Sequence, residues 1–474
     1  MDYFLIKNNK AALQEFKCGI EREALRISGN GEISKKNHPI SLGSPLTNKM
    51  ISLDFADQQI ELNTTTLASF TSITDALEQL HQFVLSKIDD ELLWPYSMPP
   101  SHEYAKIANF GISYGAKKKM RYRKGLVKRY GTSLQLISGI HFNFSFSDKL
   151  FNVLSKRCGS NLPFNEFKNE SYLSLIRNFF RQGWILSYLF GATPAVYKTF
   201  SIESQILLSG KDFLYAPFAT SMRNSKYGYY SKVQNCSSFN YNTMQRYLKD
   251  LKSALTSPHP DYQTIKEQLN SNILQTEGEH FSRIRPKPKM QRGSSQYDSL
   301  KYNGIDYIEV RTVDINPFLS GGIDLCQLEF HHLFLLYCLL KPSTKLTEND
   351  LKNIAFNQDS VALRGRDPNL ILQGPKPISL MNWTEKIFDD LEPLADILGY
   401  KNTLNRQREK ITNPDLCPSS IVLKEIMKKG FRKTFVSLSK KHKHNLLNAP
   451  EKLSKPINFK KIINDSITNY QMIL

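Results

Sequence analysis

Apolar residues recur along the chain at two different spacings. In 67–93, Ile73, Leu77, Leu80, Phe83, Val84 and Ile88 fall at helical intervals, which predicts a helix with one core-facing stripe. Residues 170–190 read as a long, largely apolar helix ended by Gly191 and Pro194, and 333–340 as a helix buried on all sides. The first segment, to about Glu15, reads as a short amphipathic helix. The last hundred or so residues read as mainly helical, with breaks at Pro414 and Pro418.

The other spacing is two. In 133–146, Leu134, Leu136, Ile140, Phe142, Phe144 and Phe146 alternate with Ser133, Gln135, His141, Asn143 and Ser145, the pattern of a strand with one buried face. Residues 303–315 repeat it after a turn at Gly304: Ile308, Val310 and Thr312 share one face, and Tyr307, Glu309 and Arg311 the other. The stretches 18–27 and 51–64 also read as extended, around a Gly- and Pro-punctuated turn region. Strands with one apolar and one polar face pack as a sheet with helices behind it, leaving a polar concave face for chemistry. The fold class expected is α+β.

The 474 residues carry a formal charge of +19. Such a charge suits a nucleic acid or an acidic surface when it is concentrated. Here it is scattered, which reads as solvated lysine-rich faces, and neither a nucleic acid nor a membrane is expected as partner. The densest run, 424–444 with Lys440, Lys441, His442, Lys443 and His444, is either an anion-binding stretch or a solvated helix and loop. Six cysteines (Cys18, Cys158, Cys236, Cys326, Cys338, Cys417) are far apart with no C-x-x-C pair, so they read as reduced thiols of a cytoplasmic protein. The start of the chain is too charged for a signal peptide, and no apolar run approaches the roughly 20 residues that span a bilayer.

No phosphate-binding G-x-x-x-x-G-K-[ST] loop, dinucleotide G-x-G-x-x-G turn or H-E-x-x-H helix is present. What the chain has is acid in strands. Glu21 and Glu23, two apart, share a face; glutamate is depleted in strands, and two like charges side by side call for a cation. Asp54 and Glu61, seven apart, reach one face only if a bulge or turn intervenes. With Glu309 and His141 they make an oxygen-rich set suited to Mg²⁺ or Mn²⁺ that also bind phosphate. Arg123, Arg129, Arg223, Arg285 and Lys287 are either solvated charges or clamps for phosphate and carboxylate.

At these residues the chain resembles the glutamate–cysteine ligase (γ-glutamylcysteine synthetase) family of the proteobacterial type. The stretches that carry the likeness include G-I-E-R-E-A-L-R-I (19–27), H-P-I-S-L-G-S-P-L-T (38–47), D-F-A-D-Q-Q-I-E-L (54–62), W-P-Y-S-M-P (94–99), Y-R-K-G-L-V-K-R-Y-G (122–131), I-S-G-I-H-F-N-F-S (137–145) and I-D-Y-I-E-V-R-T-V-D-I-N-P-F (305–318). They run in the family's order over about residues 15 to 420. The resemblance implies a glutamine-synthetase-like fold, a funnel-shaped antiparallel sheet of about six strands backed by helices. It implies ATP-dependent joining of the glutamate γ-carboxylate to the cysteine amine through a γ-glutamyl phosphate, the first step of glutathione synthesis.

By the same resemblance, Glu21, His141 and Glu309 hold a metal on the ATP phosphates, and Glu23, Asp54 and Glu61 a metal nearer glutamate. Arg311 faces the transferred phosphoryl group, with Glu309 and Arg123 completing the catalytic set. Tyr122, Leu126, Gln135 and Tyr229 line the cysteine pocket, Arg223 clamps a substrate carboxylate, and Asn143 and Phe281 join the substrate-binding set. Phe281 departs from the tyrosine of the best-known relatives, and the region after Asp415 is shorter and more basic than the family pattern. One catalytic domain, 1–474, is expected, with 420–474 a basic helical C-terminal region. The enzyme is expected to act as a monomer.

Overall fold

The computed structural model describes residues 8–200, 206–228, 231, 233–234, 239–291, 293–450 and 456–474. Tyr229 and Cys236 lie outside the described residues.

A seven-stranded antiparallel sheet organises the chain. It contains β1 (Phe16–Ile27), β2 (Ile51–Leu53), β3 (Gln59–Asn63), β4 (Leu92–Leu93), β5 (Ile140–Phe146), β9 (Ile284–Lys287) and β10 (Tyr307–Val313). Its order is β2-β3-β1-β5-β10-β9, with β4 paired to β1 off this path. A smaller sheet joins β6 (Ala195–Tyr197), β7 (Leu208–Ser209) and β8 (Phe213–Tyr215), and β11 (Ile371–Gln373) and β12 (Pro377–Ser379) form a hairpin. The fold is α+β, as expected.

The back face of the sheet is the core. Ile20, Ala24, Phe142, Phe144, Ile308 and Val310 are buried there, beneath the helices Phe70–Leu85 and Leu325–Leu340. Phe16 stacks on Phe70 at 4.4 Å between ring centroids, and His332 packs on Phe144 at 5.1 Å. Since side chains alternate across a strand, this burial forces Glu21, Glu23, His141 and Glu309 onto the opposite, concave face.

Four sequence readings need correction. Only 140–146 of the predicted strand 133–146 is extended; Thr132–Gln135 is a short helix. Gly131, with φ of 80°, ends the preceding helix, and Gly139 is held by Glu23, whose N–H donates to its carbonyl at 3.1 Å. The alternation in 133–138 therefore has no ladder to act on. The helix read over 170–190 is two, Phe164–Gln182 and Trp184–Phe190, broken at Gly183, where a Cβ would lie 2.6 Å from the Phe179 carbonyl oxygen. The helix read over 67–93 stops at Leu85, and Leu92–Leu93 joins the sheet. The segment 51–64 is a hairpin: β2 and β3 are joined by a turn in which Gln59 N–H donates to Ala56 O at 2.9 Å.

The C-terminal residues are helical, over Pro418–Lys429, Phe431–Asn448 and Phe459–Gln471. Phe435 stacks on Tyr96 at 4.1 Å, and Phe431 meets Tyr96 edge-on at 5.5 Å. The basic run has structural work: His442 donates to Pro317 O at 2.8 Å and Lys443 to Glu91 O at 2.8 Å. No helix among the described residues is long and apolar enough to cross a membrane.

Candidate active site

Strand register assembles the acids. Glu21 lies opposite His141 across β1 and β5, and Glu23 opposite Glu61 across β1 and β3. Asn143, Glu309 and Arg285 fall in one row across β5, β10 and β9. Directly opposed side chains on one face approach to contact distance. The turn after β2 supplies the reversal that brings Asp54 to the same side as Glu61.

The register between β5 and β10 shifts between Val310 and Val313, where Arg311 and Thr312 stand against His141 alone. A bulge re-aims the side chain it carries. Here Arg311 Nη1 lies 3.1 Å from Glu309 Oε1 and 3.4 Å from His141 Nδ1.

A cavity of about 280 Å³ opens on this face. Of the residues expected from the sequence, Glu21, Glu23, Asp54, Glu61, His141, Tyr122, Arg123, Leu126, Gln135, Arg223, Phe281, Arg311 and the candidate clamp Arg285 line it. Two expected residues stand just behind the wall. Glu309 is 2% exposed, 3.7 Å from both Arg285 and Lys287. Asn143 donates to Glu21 Oε1 at 2.8 Å. Tyr229 lies outside the described residues.

Among the described residues, Glu21, His141 and Glu309 are the one trio of ligand-type side chains whose ligand atoms lie within 4.8 Å of one another. His141 Nδ1 is 2.9 Å from Glu21 Oε2, and His141 Nε2 is 3.6 Å from Glu23 Oε1. Glu23, Asp54 and Glu61 share the cavity without closing to that spacing.

The charges behave differently in the two groups. Burial pushes the Glu21 carboxyl up, but the hydrogen bond and charge of His141 outweigh it and leave it lowered. Burial also opposes ionisation of Glu309, yet Lys287, Arg311 and Arg285 hold it well below the usual carboxylate range. His141 is lowered by burial and by Arg311, against the opposing pull of Glu21 and Glu309. Glu23, by contrast, is raised by burial and the Asp54 carboxylate. Glu61 is pushed up to about 7 by burial, Glu21 and Asp54. In Glu23, burial and the neighbouring acids outweigh the opposing pull of Arg223 and Arg311.

Arg123 binds the main chain of β2 and the turn, donating to Asp54 O and, at 3.4 Å, to Leu53 O. Its guanidinium lies 4.5 Å from the Phe110 ring centroid. Arg223 crosses over Gly139, donates to Arg311 O at 2.8 Å and stands 3.8 Å from Asp314. Arg129 is no clamp: it forms a buried pair with Glu279 at 2.9 Å.

The sequence reading missed Glu279 and Gly278, which also line the cavity, because they sit in a single 3₁₀ turn, Glu277–Glu279, too short for periodicity to mark a face. Phe55 and Ile137 were missed as well.

A funnel of antiparallel strands with acids and arginines on its concave face is that of a carboxylate–amine ligase of the glutamine-synthetase type. A sequence model described as Glutamate-cysteine ligase matches residues 2–361. The glutamate–cysteine ligase of Pseudomonas fluorescens is 37% identical over 97% of this chain and 90% of its own length, and that of Shewanella oneidensis 37% identical over 91% and 86%. The crystal structure of the glutamate–cysteine ligase of Francisella tularensis, in complex with AMP, superposes with a TM-score of 0.92 at 31% identity, covering 97% of this chain and 94% of that one. A bifunctional glutathione synthetase from Pasteurella multocida shares the fold, with a TM-score of 0.78 at 24% identity over 94% of this chain and 55% of its own. The chain belongs to the glutamate–cysteine ligase family. It is an ATP-dependent ligase that forms γ-glutamylcysteine, the first step of glutathione synthesis.

Proposed function

We propose that the cavity performs this ligation with two groups of acids around one arginine. An unactivated carboxylate does not form an amide, because its oxygen is a poor leaving group. The glutamate γ-carboxylate attacks the γ-phosphorus of ATP, the bond to ADP breaks, and γ-glutamyl phosphate forms. The cysteine amine then attacks the acyl carbon, a proton leaves the nitrogen, and inorganic phosphate departs.

The protein's share is positioning and charge compensation. Arg311, fixed by the bulge and by Glu309, faces the phosphoryl group in flight. Arg223 receives a substrate carboxylate. Arg123 holds the turn that carries Asp54. Tyr122, Leu126, Gln135 and Phe281 enclose the amine substrate, and Asn143 orients Glu21.

The donor set fits a hard divalent cation. Two carboxylates and an imidazole converge, and Glu309 Oε2 is buried with no hydrogen-bond partner. Glu21, His141 and Glu309 would hold one Mg²⁺ or Mn²⁺ toward ATP, and Glu23, Asp54 and Glu61 a second toward glutamate. Such ions, when bound, neutralise phosphate charge. Burial and the neighbouring acids raise Glu23 and Glu61, and a bound cation would offset that crowding.

On this reading residues 1–474 form one catalytic domain that acts as a monomer, with the helices of 420–474 packed on it through Phe431 and Phe435. The ATP and glutathione chemistry supports a cytoplasmic setting. The observation that carries the proposal is the convergence of Glu21, His141 and Glu309. Equilibrium dialysis with Mn²⁺ tests it: Glu21→Gln and Glu61→Gln should each lose part of the binding the parent shows. Equal Mn²⁺ binding by all three proteins would overturn it.

A further inference from the structure

A second cavity, of about 540 Å³, lies beside the first. The two have Arg311 and Phe281 in common as wall residues. Arg283 also lines this chamber, and its backbone carbonyl accepts from Arg311 N–H at 2.9 Å. Arg283 is half-buried; among the described residues the one acid whose charge reaches it is Asp359, and no described side chain hydrogen-bonds its guanidinium. Burial pushes it down to about 10. An arginine rarely gives up hydration without compensation, and one shared acid does not balance the three cations of this wall, Arg283, Lys226 and Arg311, which leaves a place for an anion.

The surrounding charges agree. Lys226 adds a second cation. The acid facing the chamber is Asp359, whose Oδ1 is already engaged by Lys226 N–H at 2.8 Å. His280, also in the wall, is held neutral by burial and by Arg285 and Arg311. With Arg311 at the boundary, the chamber is net cationic and continuous with the arginine assigned to the transferred phosphoryl group.

We propose that this chamber is an oxyanion subsite through which inorganic phosphate leaves after the amide forms, passing from Arg311 to Arg283. The inference rests on the assignment of Arg311 made above. Departing phosphate carries about two negative charges and binds best where guanidinium groups donate in pairs. Exit on this side lets phosphate clear Arg311 without crossing the walls formed by Tyr122 and Leu126.

The test is product inhibition by added inorganic phosphate, with turnover followed as ADP so that added phosphate does not interfere. In the parent, phosphate inhibits. In Arg283→Met the inhibition constant should rise about tenfold or more, the loss of one charge-assisted contact, while kcat without added phosphate changes little. Arg283→Lys should recover part of the inhibition. Methionine keeps the apolar stem of a half-buried arginine that no described side chain hydrogen-bonds, so the fold is retained, and circular dichroism of the variant verifies this. Acetate and γ-glutamylcysteine serve as parallel arms: if Arg283→Met relieves inhibition by the dipeptide and not by phosphate, the subsite is for a carboxylate and the proposal fails. Unchanged phosphate inhibition means that phosphate is confined to the first cavity, which also overturns it. Failure of the Arg311 assignment is seen separately, as retained turnover in Arg311→Ala.

Discussion

Arg311→Ala removes the cation that the bulge in β10 turns into the cavity. Its structural cost follows from what remains. Arg311 Nη1 stands 3.1 Å from Glu309, whereas Arg285 and Lys287 are each 3.7 Å away and stay. At an effective dielectric of about 20, one such pair is worth roughly 5 kcal/mol before desolvation. Two of the three cations remain, so Glu309 is not orphaned. The net loss should fall near 1–3 kcal/mol, below the roughly 3–5 kcal/mol of a buried charge left alone. The catalytic cost is larger. Deleting one charge-stabilising donor typically lowers turnover about 10²–10³-fold, or about 2.7–4 kcal/mol of barrier.

Phosphate release at saturating ATP, glutamate and cysteine should therefore fall by two to three decades, in the convention of that estimate, with an unchanged circular dichroism spectrum. Arg311→Lys should recover part of the rate, since it restores charge without the bidentate fork. Turnover of Arg311→Ala near that of the parent would refute the reasoning, and so would an alanine variant that does not fold.

Three further outcomes follow. In Gly139→Ala the new Cβ would lie 2.0 Å from Arg223 Nη2; this flexible end must swing away, so the KM for the substrate it clamps should rise about ten- to a hundredfold with little change in urea midpoint, and an unchanged KM would remove Arg223 from the clamp. Arg26 and Glu91 form a buried pair with contacts of 2.8 Å at the far end of β1, so Glu91→Ala should destabilise by about 3–5 kcal/mol in urea unfolding while leaving the specific activity of the folded fraction intact. His331, buried between Phe142 and Phe190, is pushed down to about 4 by burial. On acidification the unfolded chain takes up this proton first, near pH 6.5, so stability is lost as pH falls below that value and the loss ends near pH 4. The slope is about 1.4 kcal/mol per pH unit for one group, and His331→Phe should shed that share between pH 6 and 4.5; parallel curves for parent and variant would exclude it.

The site was legible in the sequence wherever it depends on parity. Glu21 and Glu23 sit two apart beside Ile20 and Ala24, so burial of the one pair fixes the facing of the other. The same holds for His141 and Asn143 against Phe142 and Phe144. The hairpin between Asp54 and Glu61 was foreseen only as a condition, since spacing alone does not say where a chain turns. The bulge at Arg311 was not legible, because it is a property of two paired strands. Glu279 escaped for a related reason: its place on the wall comes from its pairing with Arg129, a partner 150 residues away. The short helix Thr132–Gln135 shows the opposite error, an alternation of apolar and polar residues with no neighbouring strand to use it.

The central claim is that this cavity activates glutamate with ATP before the amine arrives. Rapid-quench measurement of ADP and phosphate on purified protein with Mg²⁺, omitting one substrate at a time, tests it most directly. The account predicts no ADP without glutamate, about one ADP per enzyme with glutamate alone, and steady turnover once cysteine is added. Steady ADP formation without glutamate, or none until cysteine is present, would contradict it.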